Sequence, residues 1–231
     1  MHGLQVLHED NHLIAVNKPA GLLVHGDETG DETLADLVKD YIKVRYKKPG
    51  DVFLGVIHRL DRPVSGVVIF ARTSKALTRM NKLLQEKMIK KTYLAITKER
   101  PEPLQGNLVH YILKDRDRNV AKAYDSVGRR TKAAKRSELN YELVAEVGAN
   151  HLIKVNPLTG RPHQIRVQLS KMGWPIRGDK KYGFRQRRTD GTIYLHCLEM
   201  AFEHPVKKEP VSIQAETPVD QIWALFEGVE I

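Results

Sequence analysis

The residues best equipped for chemistry lie in one short run, His58-Arg59-Leu60-Asp61-Arg62-Pro63-Val64-Ser65-Gly66. Asp61 is a carboxylate flanked by two arginines. The run falls between Val52–Ile57 and the apolar stretch Val67–Ala71, so the acid sits in a loop beside a core strand. Loops held by rigid strands are where catalytic groups often sit. Pro63 restricts the backbone and Gly66 frees it, and together they can hold one orientation of the acid. Such an acid could do acid–base work, for example activating water in a hydrolase. The plainer reading is an Asp that caps a turn through local hydrogen bonds.

Two further clusters carry functional side chains. Pro157-Leu158-Thr159-Gly160-Arg161-Pro162-His163-Gln164-Ile165-Arg166 joins a Thr-Gly turn to a helix that Pro162 could open at its first position. Arg161 and Arg166 are too far apart for an i,i+4 pair and need not share a helix face. Taken alone, this segment reads as an amphipathic basic helix at the surface. Ile176-Arg177-Gly178-Asp179-Lys180-Lys181-Tyr182-Gly183 is a glycine-bracketed loop, followed by Arg185, Arg187 and Arg188. Basic residues interleaved with Tyr182 and Phe184 could hold a phosphate backbone and stack a base. A solvated basic loop explains the same residues.

The elements that must position these groups are legible from periodicity. Leu4–Leu7 and Leu13–Val16 read as strands about a polar turn, His8-Glu9-Asp10-Asn11. Leu34, Leu37, Val38 and Tyr41 recur at helical spacing behind Thr33 as N-cap. Val67–Ala71 reads as a buried strand. Ser74–Glu86 reads as a helix with Leu77, Met80, Leu83 and Leu84 on one face. Tyr93–Thr97 is a strand, and residues 101–136 read as hairpins and exposed loops. Alternation predicts strands around Leu139–Ala145 and Leu152–Val155. A helix is expected over Gln164–Met172, strands over Ile193–Phe202 and Val211–Ala215, and a closing helix over Val219–Phe226. The sum is an α+β fold on a mixed, largely antiparallel sheet flanked by helices.

Composition narrows the partners. The 231 residues hold 38 Lys and Arg against 28 Asp and Glu, a net charge of +10 and a pI near 9.6. A surplus of that size suits a polyanion. No apolar run is long enough to span a membrane, and the first residues lack the pattern of a signal peptide. Cys197 is the sole cysteine, which excludes an intrachain disulfide and argues against a Cys-based zinc site. The cytoplasm is the expected compartment.

With these segments in view, the Asp61 run resembles the signature of the RluA-type pseudouridine synthases. Other segments agree in the family's order. They are Asn17-Lys18-Pro19-Ala20-Gly21-Leu22-Leu23-Val24-His25, Lys91-Thr92-Tyr93, Thr159-Gly160-Arg161-Pro162-His163-Gln164-Ile165-Arg166, Gly178-Asp179-Lys180-Lys181-Tyr182-Gly183, and Leu195-His196-Cys197 with Phe202-Glu203-His204-Pro205. Val64 stands where many relatives have Thr, and Cys197 where Ala is usual. Both are small neighbours of the reacting group.

The resemblance implies an isomerisation that moves uracil from an N1 to a C5 glycosidic bond, with no cofactor and no metal. It implies that Asp61 is the catalytic carboxylate, acting as nucleophile or as base toward the ribose. It implies that Arg166 pairs with Asp61, favouring the charged form and fixing its orientation through a planar fork. Tyr93 would stack on the uracil, with a part in proton removal at C5, and Ile165 would pack beside the base. Arg59 would enter the space that the flipped base vacates. Arg62, Arg161 and His163 complete the expected substrate contacts. Asp61, Tyr93 and Arg166 are therefore expected to line one cleft. The partner would be ribosomal RNA, transfer RNA or both.

Two rivals share the charge. A non-catalytic RNA-binding module has no need of an acid between arginines, because an acid repels phosphate. A nucleic-acid hydrolase could use Asp61 on water, but a metal-dependent nuclease would cluster acids for its ion, and none cluster near Asp61. Because the Asn17-Lys18-Pro19 motif begins almost at once, residues 1–231 are expected to form a single catalytic domain without a preceding RNA-binding domain. A monomer is expected.

Overall fold

Two buried apolar runs, Leu13–Val16 and Val67–Ala71, organise the first part of the chain. The computed structural model describes residues 4–26, 30–115 and 117–231. Strand β1 (Gln5–Glu9) pairs antiparallel with β2 (Leu13–Lys18), and a bulge lies between Val6 and His8. The polar turn is tighter than the sequence suggests: His8 and Glu9 stay in β1, and Asp10 Oδ1 accepts the backbone N–H groups of His12 and Leu13. Helix α1 (Leu34–Arg45) starts at Thr33, whose side chain and Asp36 cap each other's backbone N–H. The two-residue strand β3 (Gly55–Val56) and β4 (Ser65–Ala71) follow. All seven residues of β4 are buried, as a continuous apolar run demands of a strand covered on both faces.

Helix α2 (Ser74–Gln85) has Thr73 as its N-cap and buries Ala76 and Met80. It packs closely on β3, because a Cβ on Gly55 would lie 2.9 Å from Leu77 Cδ2. Strands β5 (Lys90–Thr97), β6 (Gln105–Asp115), β7 (Val120–Tyr124), β8 (Lys135–Val147) and β9 (Asn150–Pro157) come next. Helix α3 (Gln164–Lys171), β10 (Leu195–Glu203) and β11 (Pro210–Gln214) complete the elements. The α+β expectation, a mixed and largely antiparallel sheet with helices, is met.

The chain divides into two compact units, Met1–Lys91 with Cys197–Pro218, and Thr92–His196 with Val219–Ile231. In the first unit the strand order is β1-β2-β4-β10, with β11 antiparallel to β10 and β3 antiparallel to β4. Its core is Leu13–Val16, Leu34, Val38, Val67–Ala71 and Met80. In the second unit the order is β5-β9-β8-β6-β7, every neighbour antiparallel. The hairpins expected over 101–136 are β6 with β7, while β6 also pairs β8 along its length. Helix α3 packs on β6 and β7.

Three local expectations are corrected. Pro162 does not open α3: His163 is the N-cap, in the left-handed region at φ 54°, and the helix begins at Gln164. Helix α3 is also no surface helix, since Gln164–Leu169 are all buried. Two of its buried polar side chains bond across the fold: Gln168 Nε2 donates to Leu108 O and bonds His110, and Gln164 Nε2 donates to Glu138 O. Finally, the helix expected over Val219–Phe226 shrinks to a 3-10 turn, Trp223–Phe226. Asp220 Oδ1 accepts the Ile222 N–H, a local bond that competes with helix propagation.

Candidate active site

The first unit carries Arg59, Asp61 and Arg62, in the loop between β3 and β4. Asp61 is half-buried, and both arginines are exposed. The loop is closed by a turn in which Val64 N–H donates to Asp61 O at 3.0 Å. A second loop, after β2, is tied to it. Gly21 N–H donates to Arg62 O at 2.7 Å, and Arg62 Nε donates back to Gly21 O at 2.9 Å. Gly21 sits at φ 93°, where a side chain is strained.

Lys18 locks the pair of loops. Its side chain is wholly buried, and Nζ donates to Pro19 O, Leu22 O and Arg62 O at 2.9, 2.7 and 3.2 Å. Three carbonyl acceptors match the three donors of an ammonium. Burial lowers the Lys18 pKa to about 7, against the pull of the Asp61 charge, and the Arg62 charge lowers it further. The sequence reading placed Lys18 in a motif but gave it no part at the site. All of Leu13–Val16 is buried, so no alternation along β2 marks position 18 as inward.

Gly66 and His58 fix the flanks of the loop. At φ 116°, a Cβ on Gly66 would lie 2.2 Å from Cys197 O and 2.5 Å from Cys197 N, so only glycine lets β4 pass this close to β10. His58 Nε2 accepts the Ile69 N–H at 3.1 Å. Burial, and then the Lys91 charge, lower the His58 pKa to about 3. The ring is therefore neutral at pH 7, as an acceptor nitrogen requires.

The second unit carries Tyr93, Arg161, His163, Ile165 and Arg166. Tyr93 is half-buried on β5, opposite Val155 of β9. The turn before α3 is anchored on β8: Thr159 Oγ1 accepts the Glu138 N–H and donates to Gln164 Oε1 at 2.8 Å, which also accepts the Arg161 N–H. Arg161 Nε donates to Arg136 O. Ile165 and Arg166 are 7% and 5% exposed. Arg166 donates from Nε and Nη2 to the two carboxylate oxygens of Asp179, at 2.7 and 2.9 Å. Its guanidinium carbon stands 4.9 Å from the centre of the Tyr182 ring.

The glycine-bracketed loop differs from its sequence reading. Tyr182 is no stacking platform for a base. It is 6% exposed, its hydroxyl accepts the Ala121 N–H at 2.8 Å, and it bonds His163 Nδ1 at 2.6 Å. Nor is Arg188 a free cation for phosphate. It pairs with Asp190 and Asp220 and bonds the Tyr194 hydroxyl. Lys180, Arg185 and Arg187 are exposed.

Among the described residues, no helix is long and apolar enough to cross a membrane. Comparisons with known proteins identify the chain's kin. The family model for RNA pseudouridylate synthase matches residues 12–171. Ribosomal large subunit pseudouridine synthase C of Escherichia coli K12 is 32% identical over 224 residues, covering 94% of this chain and 66% of the relative. The same-named protein of Pasteurella multocida is 32% identical over 222 residues, covering 94% and 64%. The chain thus spans just under two thirds of the length of these curated relatives. In fold it is similar to human RNA pseudouridylate synthase domain containing 4, with TM-score 0.79 and 23% identity over 96% of this chain and 91% of that one. The human domain-containing protein 1 gives TM-score 0.73 and 22% identity over 96% and 88%. With the family match running through the Asp61 loop, β5 and α3, the chain belongs to the RNA pseudouridylate synthase family, in its RluA-type branch.

Proposed function

We propose that this protein isomerises uridine to pseudouridine in RNA, with Asp61 as the carboxylate that acts on the ribose of the target nucleotide. The observation that carries the reading is the Asp61 loop. An acid between two exposed arginines is tied to a second loop by Lys18 and by the reciprocal Gly21–Arg62 bonds. A tied loop holds its carboxylate in place before substrate arrives, and such positioning lowers the barrier of a chemical step. The acid lies within the span matched by the family model.

Tyr93 and Arg166 serve the same uridine in this proposal. Tyr93 offers its ring to the uracil, and Arg166 supplies a planar cation whose fork suits a carboxylate. Arg59 occupies the space vacated by the extruded base. Extrusion costs a few kcal/mol, which phosphate contacts from the basic surface offset. The isomerisation leaves the atom count and redox state of the RNA unchanged, so the proposed reaction balances without a co-reactant. Ribosomal RNA of the large subunit is the proposed substrate, in line with the names of the curated relatives.

Incubation with purified large-subunit ribosomal RNA and with transfer RNA, followed by pseudouridine mapping and mass spectrometry, tests the proposal. Pseudouridine in the ribosomal RNA at unchanged mass supports it. Modification of transfer RNA alone overturns the substrate. Loss of base mass points to a glycosylase and overturns the reaction.

A further inference from the structure

Among the described residues, Arg188 alone of residues 185–190 bonds beyond its own loop. The loop leaves a firm frame and returns to one. At its start Phe184 N–H donates to Asp179 O at 3.1 Å. At its end Tyr194 N–H donates to Arg177 O, and Tyr194 O accepts the Ile96 N–H of β5, both at 3.0 Å. Between these anchors the bonds are local. Gly191 N–H donates to Arg188 O, and Asp190 Oδ1 accepts from the backbone and hydroxyl of Thr192. Arg185 and Arg187 stand exposed on this stretch. Such a stretch keeps much of its conformational freedom unless a side chain pins it.

Asp220 supplies that pin. Arg188 Nη2 donates to Asp220 Oδ2 at 2.9 Å, and its guanidinium carbon lies 4.5 Å from the centre of the Tyr194 ring. The Tyr194 hydroxyl donates to Asp220 Oδ1 at 2.8 Å, and the Ile222 N–H donates to the same oxygen. Trp223 anchors this segment. It is 6% exposed, and its ring packs against Tyr194 and His196 with centres 5.8 and 6.0 Å away. The aliphatic stem of Arg188 lies against Gly178, where a Cβ would come within 3.2 Å of Arg188 Cγ and Cδ. Arg188 is thus held at its stem, its face and its head, next in sequence to Arg187.

We propose that Asp220 is a positioning residue for RNA binding: through Arg188 it sets the basic loop so that Arg185 and Arg187 meet phosphate already ordered. The proposal rests on the reading that phosphate contacts from the basic surface hold the RNA. A loop ordered before binding has less freedom to lose on binding, so affinity rises without a new contact. By charge alone an acid beside the RNA opposes binding. Positioning and charge therefore predict opposite signs when the acid is removed.

Asp220→Asn removes one negative charge together with the ion pair to Arg188. Filter binding of a large-subunit ribosomal RNA transcript from about 50 to 200 mM salt reads the outcome. Affinity should fall about tenfold at every salt concentration, the scale of ordering one residue anew. The salt slope should stay unchanged, because both exposed arginines still reach phosphate. Arg188→Ala cuts the link from the loop's side and should displace the line in the same direction. In an Arg185→Ala/Arg187→Ala background the loss from Asp220→Asn should shrink below about twofold, because its effect runs through those two residues.

An Asp220→Asn protein that binds RNA as tightly as wild type, or more tightly, overturns the proposal even if its melting temperature is lowered, since Asp220 then only supports the fold. A tenfold loss that persists without Arg185 and Arg187 also overturns it. Wild-type affinity and slope in the Arg185→Ala/Arg187→Ala protein instead overturn the reading of the basic loop, and the proposal with it. If Asp220→Asn is recovered unfolded, Arg188→Ala decides.

Discussion

Lys18 Nζ donates to the carbonyl oxygen of Arg62 from a wholly buried side chain, one peptide unit beyond Asp61. A buried ammonium survives only where its donors are matched, and the three carbonyls supply that match. The lysine thus ties the acid's loop to the loop after β2.

This gives a stability signature with a defined sign. The folded-state pKa of Lys18 is lowered to about 7 from 10.5. Between those values the unfolded chain binds the proton and the folded chain does not, so stability rises with pH there. The contribution is complete above the unfolded value and is lost as pH falls toward about 7. One proton sets a slope of up to about 1.4 kcal/mol per pH unit. Denaturant unfolding of the wild type and of Lys18→Met across pH 7 to 10 should show this component in the wild type only. Equal slopes in the two proteins would mean that Lys18 does not titrate in this window.

Asp61→Asn should abolish pseudouridine formation and leave RNA binding largely intact. The change is nearly isosteric, and backbone bonds from Val64, Gly21 and Lys18 help to hold the loop. Product analysis and filter binding on one preparation read both quantities. Activity within about tenfold of wild type, a change of only 1.4 kcal/mol in the barrier, would remove Asp61 from the chemistry.

Gly66→Ala should destabilise the fold by roughly 2–4 kcal/mol, combining strain at positive φ with a collision against backbone. The Cβ would lie 2.2 Å from Cys197 O, and main-chain atoms cannot rotate aside. Thermal unfolding checks this. A melting temperature equal to the wild type's would show that β4 and β10 separate at little cost.

Much of the frame could be read from local pattern, because its causes are local. Thr33 precedes a helical period and caps it, and Val67–Ala71 is apolar throughout and buried throughout. Asp61 stood out by type and neighbours alone. The rest depends on partners distant in sequence. The segment Gln164–Lys171 reads as an amphipathic basic helix at the surface, yet six of its residues are buried, and the polar ones among them bond Asp179, Glu138, Leu108 and His110, which are distant in sequence. Tyr182 resembles a stacking residue until Ala121 and His163 occupy its hydroxyl. Lys18 and Asp179 carried no periodic signal. Each was visible only as a charge beside a turn, and its task is set by what it bonds across the fold.

RNA affinity should fall steeply with salt. A site making six phosphate contacts loses on the order of a thousandfold between 50 and 200 mM salt, taking duplex DNA as a rough guide. The exposed Lys180, Arg185 and Arg187 are candidates for such contacts, whereas Arg188 is committed to Asp190 and Asp220. Arg185→Ala and Arg187→Ala should each reduce the salt slope by about one. Arg188→Ala should leave the slope unchanged and lower the melting temperature, since it strips a cation from two acids. A salt slope that responds to Arg188 and ignores Arg185 and Arg187 would reverse this assignment of the basic loop.

Tyr93→Phe tests whether the aromatic on β5 does chemistry or only packs. The side chain is half-buried on a strand whose next four residues are buried, and strands favour aromatic residues for packing alone. A packing tyrosine that loses its hydroxyl gives up about 1 kcal/mol of stability and keeps its turnover. A catalytic tyrosine keeps its ring against the uracil in the Phe variant, so RNA affinity is retained. It loses the chemical step in proportion to the hydroxyl's share in moving a proton, a contribution of about 10²–10⁴-fold for a positioned acid or base. Tyr93→Ala removes the ring as well, and stacking is worth about 1–3 kcal/mol per base, so affinity should fall there and not in Tyr93→Phe. Single-turnover rates and RNA affinities for the two variants separate the functions. A Phe variant as fast as wild type confines Tyr93 to stacking, and an Ala variant with unchanged affinity takes the uracil away from Tyr93 altogether.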